Sequence, residues 1–455
     1  MNAALIRGAL AIMTGCAGER ARATGPDLRI DANGRIEAIG ALEPRPGETV
    51  LDARGCVLYP GWVNTHHHLA QSVLKGVPAG LNEPLAQWMT AVPYRYRSRY
   101  DESLFALAVE IGIAELVLSG CTTLADHQFI HWPQMSFDPA EIVFTIAARL
   151  GVRLVYCRGG GTVAPQYAAR DVAAPTPDSL ASYVEDVARL VRRYHDPGEE
   201  ALCRVVMAPT TVTWSVTPAD LRALAHAARA LGIRMHSHLS ETSDTVRYCA
   251  ERFGQRPAEF LAEHEWLGAD VWLAHMVHLD AAELALVARS GTAMAHCPAS
   301  NCRLGSGIAP APEFARLGGV VSLGVDGSAS NEAGDAISEA HTCWYTHRAT
   351  KGAAAISVED VVHWGTRGGA LALGIDNIGT LEPGRAADVA VYALDQLRYA
   401  GLHDPAIGPV ASGGKPKLRY LLVQGRVVVE NDSIPGADIE RLLARAGEAV
   451  RRLAA

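Results

Sequence analysis

Between residues 59 and 377, short apolar runs alternate with longer amphipathic segments, and they do so eight times. The first run spans 56–63. The others are TTLAD (122–126), VRLVYC (152–157), CRVVMAP (203–209), RMHSHL (234–239), VWLAH (271–275), TAMAH (292–296) and VVSLGV (320–325). Short apolar runs bounded by turn residues predict buried strands, and a helical pattern follows each one. Leu104, Leu107, Ile111 and Leu116, for example, line one side of a helix expected to begin near Asp101 and end at Gly120. Eight β/α units predict an α/β fold, a (β/α)8 TIM-type barrel. An open doubly wound sheet is the alternative, but no GxGxxG follows a strand.

The remainder of the 455 residues lies at the two ends. Residues 4–14 and 27–58 read as short strands, with DLRIDANGRIEAIG forming a hairpin around Asn33-Gly34. The runs 379–394 and 418–432 have the same texture, and 438–455 has helical spacing. The ends are expected to pair. Residues 1–58 and 378–455 would form a small β-sandwich domain with a C-terminal helix, and 59–377 the catalytic barrel. The segments 76–100 and 159–180 are long excursions, of the kind that line or cover a site.

Composition narrows the function by exclusion. A net charge of −8 offers no basic footprint, so nucleic acid is not an expected partner. No apolar run reaches the length of a membrane span, so neither is a membrane. The nine cysteines are scattered, mostly within apolar runs, which predicts reduced thiols in a cytoplasmic protein. The apolar start, MNAALIRGALAIMTG, carries Arg7 inside the run and reads as a strand, not as a signal peptide.

Polar residues gather where the apolar runs stop, and the C-terminal ends of barrel strands are where such folds carry chemistry. In PGWVNTHHHLAQS (60–72), strand alternation puts His66 and His68 on one face and His67 on the other. Strand two ends in Asp126-His127 and strand five in His238, with Glu241 three residues on. Strand six ends in His275, seven in His296 and eight in Asp326. A lone His-x-His is as readily explained by packing as by a metal. So many buried polar ends are not, because each would need a partner. One metal ion resolves them: His66, His68, His238 and Asp326 suit one Zn²⁺ with a position left for water, and Fe²⁺ or Mn²⁺ would accept the same donors. Glu241 and His275 remain as proton handlers, with His275 preferred to His278 because it ends the apolar run. His236 reads as a core histidine one layer deeper. His127 and His296 either line the pocket or satisfy hydrogen bonds. Strand four carries no lysine that could bridge two metals, which favours a single ion.

NTHHH, HLSE, the AH of strand six, HCPASN, GVDGSASN and the PGRAADVAV run resemble the amidohydrolase superfamily, and more narrowly its nucleobase and pterin deaminase branch. The resemblance implies a zinc-dependent aminohydrolase acting on a small heterocycle. It makes His66, His68, His238 and Asp326 the ligands, Glu241 the acid that protonates a ring nitrogen, and Asp326 and His275 the groups that deprotonate and orient the attacking water. Within the branch, VPAGLNEPLAQW (77–88), AVPYRYR (91–97), RGGGT (158–162), APTTV (208–212) and GLHDPAIGPVASGG (401–414) are most similar to isoxanthopterin deaminases, with 8-oxoguanine deaminases next. That implies a pterin such as isoxanthopterin or pterin-6-carboxylate as substrate, and a homo-oligomer, a dimer. Gln71 matches an amide that reads the ring edge. Trp88 and Trp214 are expected to stack on the ring or pack the loops, and Thr210, Arg158 and Gln166 are further expected contacts. A triazine-hydrolase type of reaction at the same site is the enzymatic alternative.

Overall fold

The computed structural model describes residues 3–131, 135–164 and 176–454. Eight parallel strands pair in sequence order: β1 (Trp62–Asn64), β2 (Cys121–Gln128), β3 (Arg153–Arg158), β4 (Cys203–Met207), β5 (Met235–Leu239), β6 (Val271–His275), β7 (Ala293–His296) and β8 (Val321–Leu323). The last strand returns to the first. The Thr65 N–H donates to the Leu323 carbonyl and the Asp326 N–H to the His66 carbonyl, each at 3.0 Å, so the sheet closes as a barrel.

The strands are apolar on both faces because both faces are buried. Val63, Ala125, Val155, Val206, Trp272 and Ala295 fill the interior. Leu124, Leu154, Val205, Met235, Leu273 and Met294 face the helices. The helix Glu102–Leu118 starts where expected, with Asp101 accepting the Leu104 N–H as its N-cap.

The first apolar run is not one strand but two, in different sheets. Cys56–Pro60 pairs antiparallel with Val389–Ala393, while Trp62–Asn64 opens the barrel. The break is at Gly61, where any Cβ would collide with the Thr122 side chain. Two smaller sheets lie outside the barrel. A five-stranded sheet joins both chain ends, in the order Arg426–Glu430, Lys417–Val423, Val389–Ala393, Cys56–Pro60, Ala11–Ile12. A four-stranded sheet comes from the N-terminal segment alone and contains the expected hairpin, Asp27–Ile30 with Ile36–Gly40. Ile6, Leu28 and Ile30 of one sheet share a core with Leu58, Val391 and Leu422 of the other.

Segment 76–100 is not an open loop. It holds two short helices, Leu85–Ala91 and Pro93–Tyr96, which lie over the C-terminal mouth of the barrel and line its cavity. The closing helix, Ile439–Ala454, packs back on Glu102–Leu118. Among the described residues, no helix is long and apolar enough to cross a membrane.

Candidate active site

Beyond β1 the chain carries His66, His67 and His68, all buried. His66 and His68 turn into the barrel mouth, and His67 turns away, as alternation requires. It points into packed protein and not into solvent: its Nδ1 accepts the His68 N–H at 2.7 Å.

Hydrogen bonds set the tautomers of the three histidines that face the cavity. His68 Nδ1–H donates to the His127 carbonyl (2.7 Å) and His238 Nδ1–H to the Thr210 carbonyl (2.5 Å). His236 Nδ1–H donates to the Trp272 carbonyl (2.9 Å), so its Nε2 is free to accept from His66 Nδ1 at 2.8 Å. All three cavity-facing Nε2 atoms are therefore bare. Yet His68 Nε2 stands 3.3 Å from His238 Nε2, and the Asp326 Oδ1 lies 3.4 Å from His66 Nε2 and 3.3 Å from His68 Nε2. Lone pairs and a carboxylate facing one another in a buried site repel unless a cation lies between them. These three separations match the spacing of about 3.3 Å between donors held about 2.0–2.1 Å from one ion in a tetrahedron. The donor set thus fits a divalent transition metal, and the second bonds on Nδ1 are those that orient metal-ligating histidines. Burial pushes His68 down to about 4 and His238 well below the usual range, which keeps both neutral.

Asp326 follows β8 with its backbone in the left-handed region (φ 59°). Its Oδ2 accepts from Ser300 Oγ (2.6 Å) and Ser330 Oγ (3.1 Å), and its Oδ1 from the Gly327 N–H (2.7 Å). Burial alone would raise this carboxyl, but its neighbours His66, His68 and His275 hold it well below the usual range. His275 ends β6 at φ 72°. Non-glycine residues in this region cost about 1–3 kcal/mol each, and they persist where the surroundings over-determine them. Here they aim two polar side chains into one cavity.

Glu241 sits beside this cluster, its Oε2 3.6 Å from His275 Nε2 and its Oε1 without a hydrogen-bond partner among the described residues. Burial, and then the neighbouring Asp326, push its carboxyl well above the usual range, opposed weakly by Ser306. A carboxyl kept protonated near neutral pH is a proton donor. Asn301 Nδ2 donates to His275 Nδ1 (3.0 Å), which leaves the ring proton on Nε2, facing the cavity. His278 is spent elsewhere, bonded to the Ser306 carbonyl at 2.8 Å.

The cavity, roughly 880 Å³ with its open mouth, brings Gln71, Trp88, Thr210 and Trp214 together with the donor cluster, Glu241 and His275. Gln71 is buried and its Oε1 lacks a partner among the described residues; it packs so closely on Gly327 that any Cβ there would collide with it. Trp88 is anchored by its Nε1–H to the Ala329 carbonyl (3.2 Å), and Trp214 packs edge-on against Tyr248. Arg158 does not join them. Its guanidinium is held by Asp178 (2.8 Å) and Asp186 (3.0 Å) and stacks on Tyr183, behind the wall, so that its charge is already paired. Gln166 lies outside the described residues.

Residues 57–428 match the Amidohydrolase family. The chain belongs to this family. It is 52% identical to an isoxanthopterin deaminase from an unknown prokaryotic organism, over 99% of this chain and 97% of that one. It is 37% identical to an 8-oxoguanine deaminase of Pseudomonas aeruginosa, over 91% and 92%. Among solved structures it superposes on atrazine chlorohydrolase TrzN from Arthrobacter aurescens TC1 complexed with zinc, with a TM-score of 0.89 at 29% identity, over 98% and 99%. This amidohydrolase is accordingly a hydrolase acting on C–N bonds.

Several residues that shape the site in this amidohydrolase have no role assigned from sequence. His236, read as a core histidine, is bonded directly to His66. Ser300, Asn301 and Ser330 hold Asp326 and His275, and their signal was their place inside HCPASN and GVDGSASN, directly after strand ends. Met89, Tyr94 and Phe129 line the outer cavity. His127 has a ligating nitrogen within reach of those of His68 and His238. His296 turns out toward the helix Ala336–Lys351 and bonds His347 (3.0 Å), away from the cavity.

Proposed function

We propose that this amidohydrolase deaminates a pterin such as isoxanthopterin or pterin-6-carboxylate, replacing the exocyclic amine by oxygen and releasing ammonia. One Zn²⁺ would be held by His66, His68, His238 and Asp326, with Fe²⁺ or Mn²⁺ as alternatives. When bound, the metal supplies Lewis acidity that makes water nucleophilic at neutral pH.

The chain's own groups move the protons. Asp326 takes one proton from the attacking water, and His275, with its proton on Nε2, orients that water by donating to it. Glu241 gives its proton to the ring nitrogen next to the amine-bearing carbon, which makes that carbon more electrophilic. Asp326 then passes its proton to the departing amine. The remaining hydroxyl proton restores Glu241, so water has provided the oxygen of the product and both protons. Gln71 reads the carbonyl–NH edge of the ring, and Trp88 and Trp214 flank it. The nine cysteines, all free, support a reducing, cytoplasmic setting.

The observation that carries this reading is the meeting in one cavity of a four-donor cluster with the buried, proton-holding Glu241. Similarity to the isoxanthopterin deaminase over the whole chain supports the choice of substrate. The metal-loaded protein should release ammonia from isoxanthopterin or pterin-6-carboxylate faster than from 8-oxoguanine, guanine or isocytosine. No ammonia from any of them would refute the reading. Glu241→Gln should keep its metal and lose about 10²–10⁴-fold in kcat, the usual worth of a general acid.

A further inference from the structure

We infer that Arg97 makes the outer end of the active-site cavity a receptor for an anionic group on the substrate. The inference rests on the deaminase reading for the pose of the ring. Within that reading it names a class: heterocycles carrying a carboxylate or an ionised ring oxygen remote from the amine.

Against Tyr94 and Phe129 the cavity adjoins a second chamber, lined by Arg97, His131, Gly160, Gly161 and Asp178. Tyr94, Phe129, Thr210 and Ser215 line both chambers. Thr210 joins them physically: its carbonyl holds His238 Nδ1, and its hydroxyl accepts the Gly160 N–H at 3.2 Å.

Among the described residues, the charges in and around the second chamber balance, apart from one. Asp178 takes Arg158 Nη1 (2.8 Å) and Nη2 (3.1 Å). Asp186 takes Arg158 Nε (3.0 Å) and Arg189 Nη2 (2.8 Å). His131 lies 3.3 Å from Asp186, and burial pushes it down to about 3, so it adds no charge. Arg97 is 5% exposed and its guanidinium lies over the Tyr94 ring at 4.6 Å. It has no carboxylate partner and no hydrogen bond among the described residues. Burial lowers it only to about 10, so it remains a cation at neutral pH.

A guanidinium removed from water without a counter-charge is costly. It is tolerable in a cavity wall where a ligand brings the charge. The planar fork suits a carboxylate or two oxygens of an anionic ring edge, and Tyr94 fixes its plane. A ligand without the anion would leave the guanidinium desolvated and unpaired, which is how polar sites reject analogues.

The test compares two ligands differing only in the anion, pterin-6-carboxylate and pterin. Binding is followed by ligand fluorescence in metal-loaded protein carrying Glu241→Gln, so that neither ligand is consumed. Arg97 should favour the carboxylate by on the order of 10- to 100-fold, the worth of a charged hydrogen bond. Adding Arg97→Met should erase that preference, and Arg97→Lys should restore part of it. In the otherwise unaltered enzyme the ratio of the two kcat/KM values should fall in step. Equal weakening of both ligands, or a preference that survives Arg97→Met, would overturn the inference. Absence of ammonia release with every heterocycle would instead remove the deaminase reading, and the binding preference would still report on Arg97.

Discussion

At the floor of the cavity, the four candidate donors and His275 stand at or just past the ends of barrel strands, each with its second polar atom tied to the fold. His68 and His238 are held by carbonyls, His66 by His236, Asp326 by two serines. Along the outer wall, the lining side chains come from connections and short helices: Trp88 and Met89 from Leu85–Ala91, Tyr94 from Pro93–Tyr96, Phe129 just beyond β2. They are placed by packing, and the wall behind them rests on the Arg158 ion pairs. The floor is a set of directional bonds around a few atoms. The wall is a shape with, among the described residues, one unbalanced charge. Floors of this kind set the reaction, and walls set which molecule reaches it.

That contrast can be broken in four places. Asp326→Ala should be most damaging, lowering kcat/KM by about 10⁴-fold or more, because in the proposed mechanism it deletes a ligand and a proton acceptor together. Metal analysis should then find less than one equivalent bound, and full occupancy would show that the floor does not need its carboxylate. Arg158→Met should spare the chemistry but cost about 3–5 kcal/mol of stability, since Asp178 is left buried without its partner. Denaturant unfolding checks this, and an unchanged midpoint would mean that the wall does not rest on that network. His236→Phe should weaken metal binding about 10- to 100-fold by freeing the His66 ring, as measured by competition with a chelator. An unaltered affinity would return His236 to the status of core filler. Trp88→Leu should be mildest, raising KM about fivefold, roughly 1 kcal/mol of pocket contact, and affecting kcat less. A change mainly in kcat would move Trp88 from the wall to the floor.

The floor was legible because its demands are chemical. An apolar strand that stops at a histidine or aspartate is hard to explain by packing, and six such ends in order exposed the barrel and its mouth together. His66, His68, His238, Glu241, His275 and Asp326 do converge on one cavity. The wall was less legible because packing accepts many residues. Arg158 lies in RGGGT and Arg97 in AVPYRYR, and only their neighbours distinguish them: Asp178 and Asp186 surround the first, and among the described residues no carboxylate meets the second.

Sequence alone determined the eightfold strand and helix alternation, the hairpin near Asn33, the helix after Asp101 and the residue types able to hold a metal. These depend on periodicity and on local polar signals, which a chain displays without its fold. Tertiary structure decided where the run 56–63 divides, because only contact with Thr122 excludes a side chain at Gly61. It also decided that His236 supports His66, that His67 is buried although it points away, and that Arg158 is structural while Arg97 faces a cavity. Each of these is a relation between residues far apart in the chain, and burial, tautomer and charge balance exist only once those residues meet.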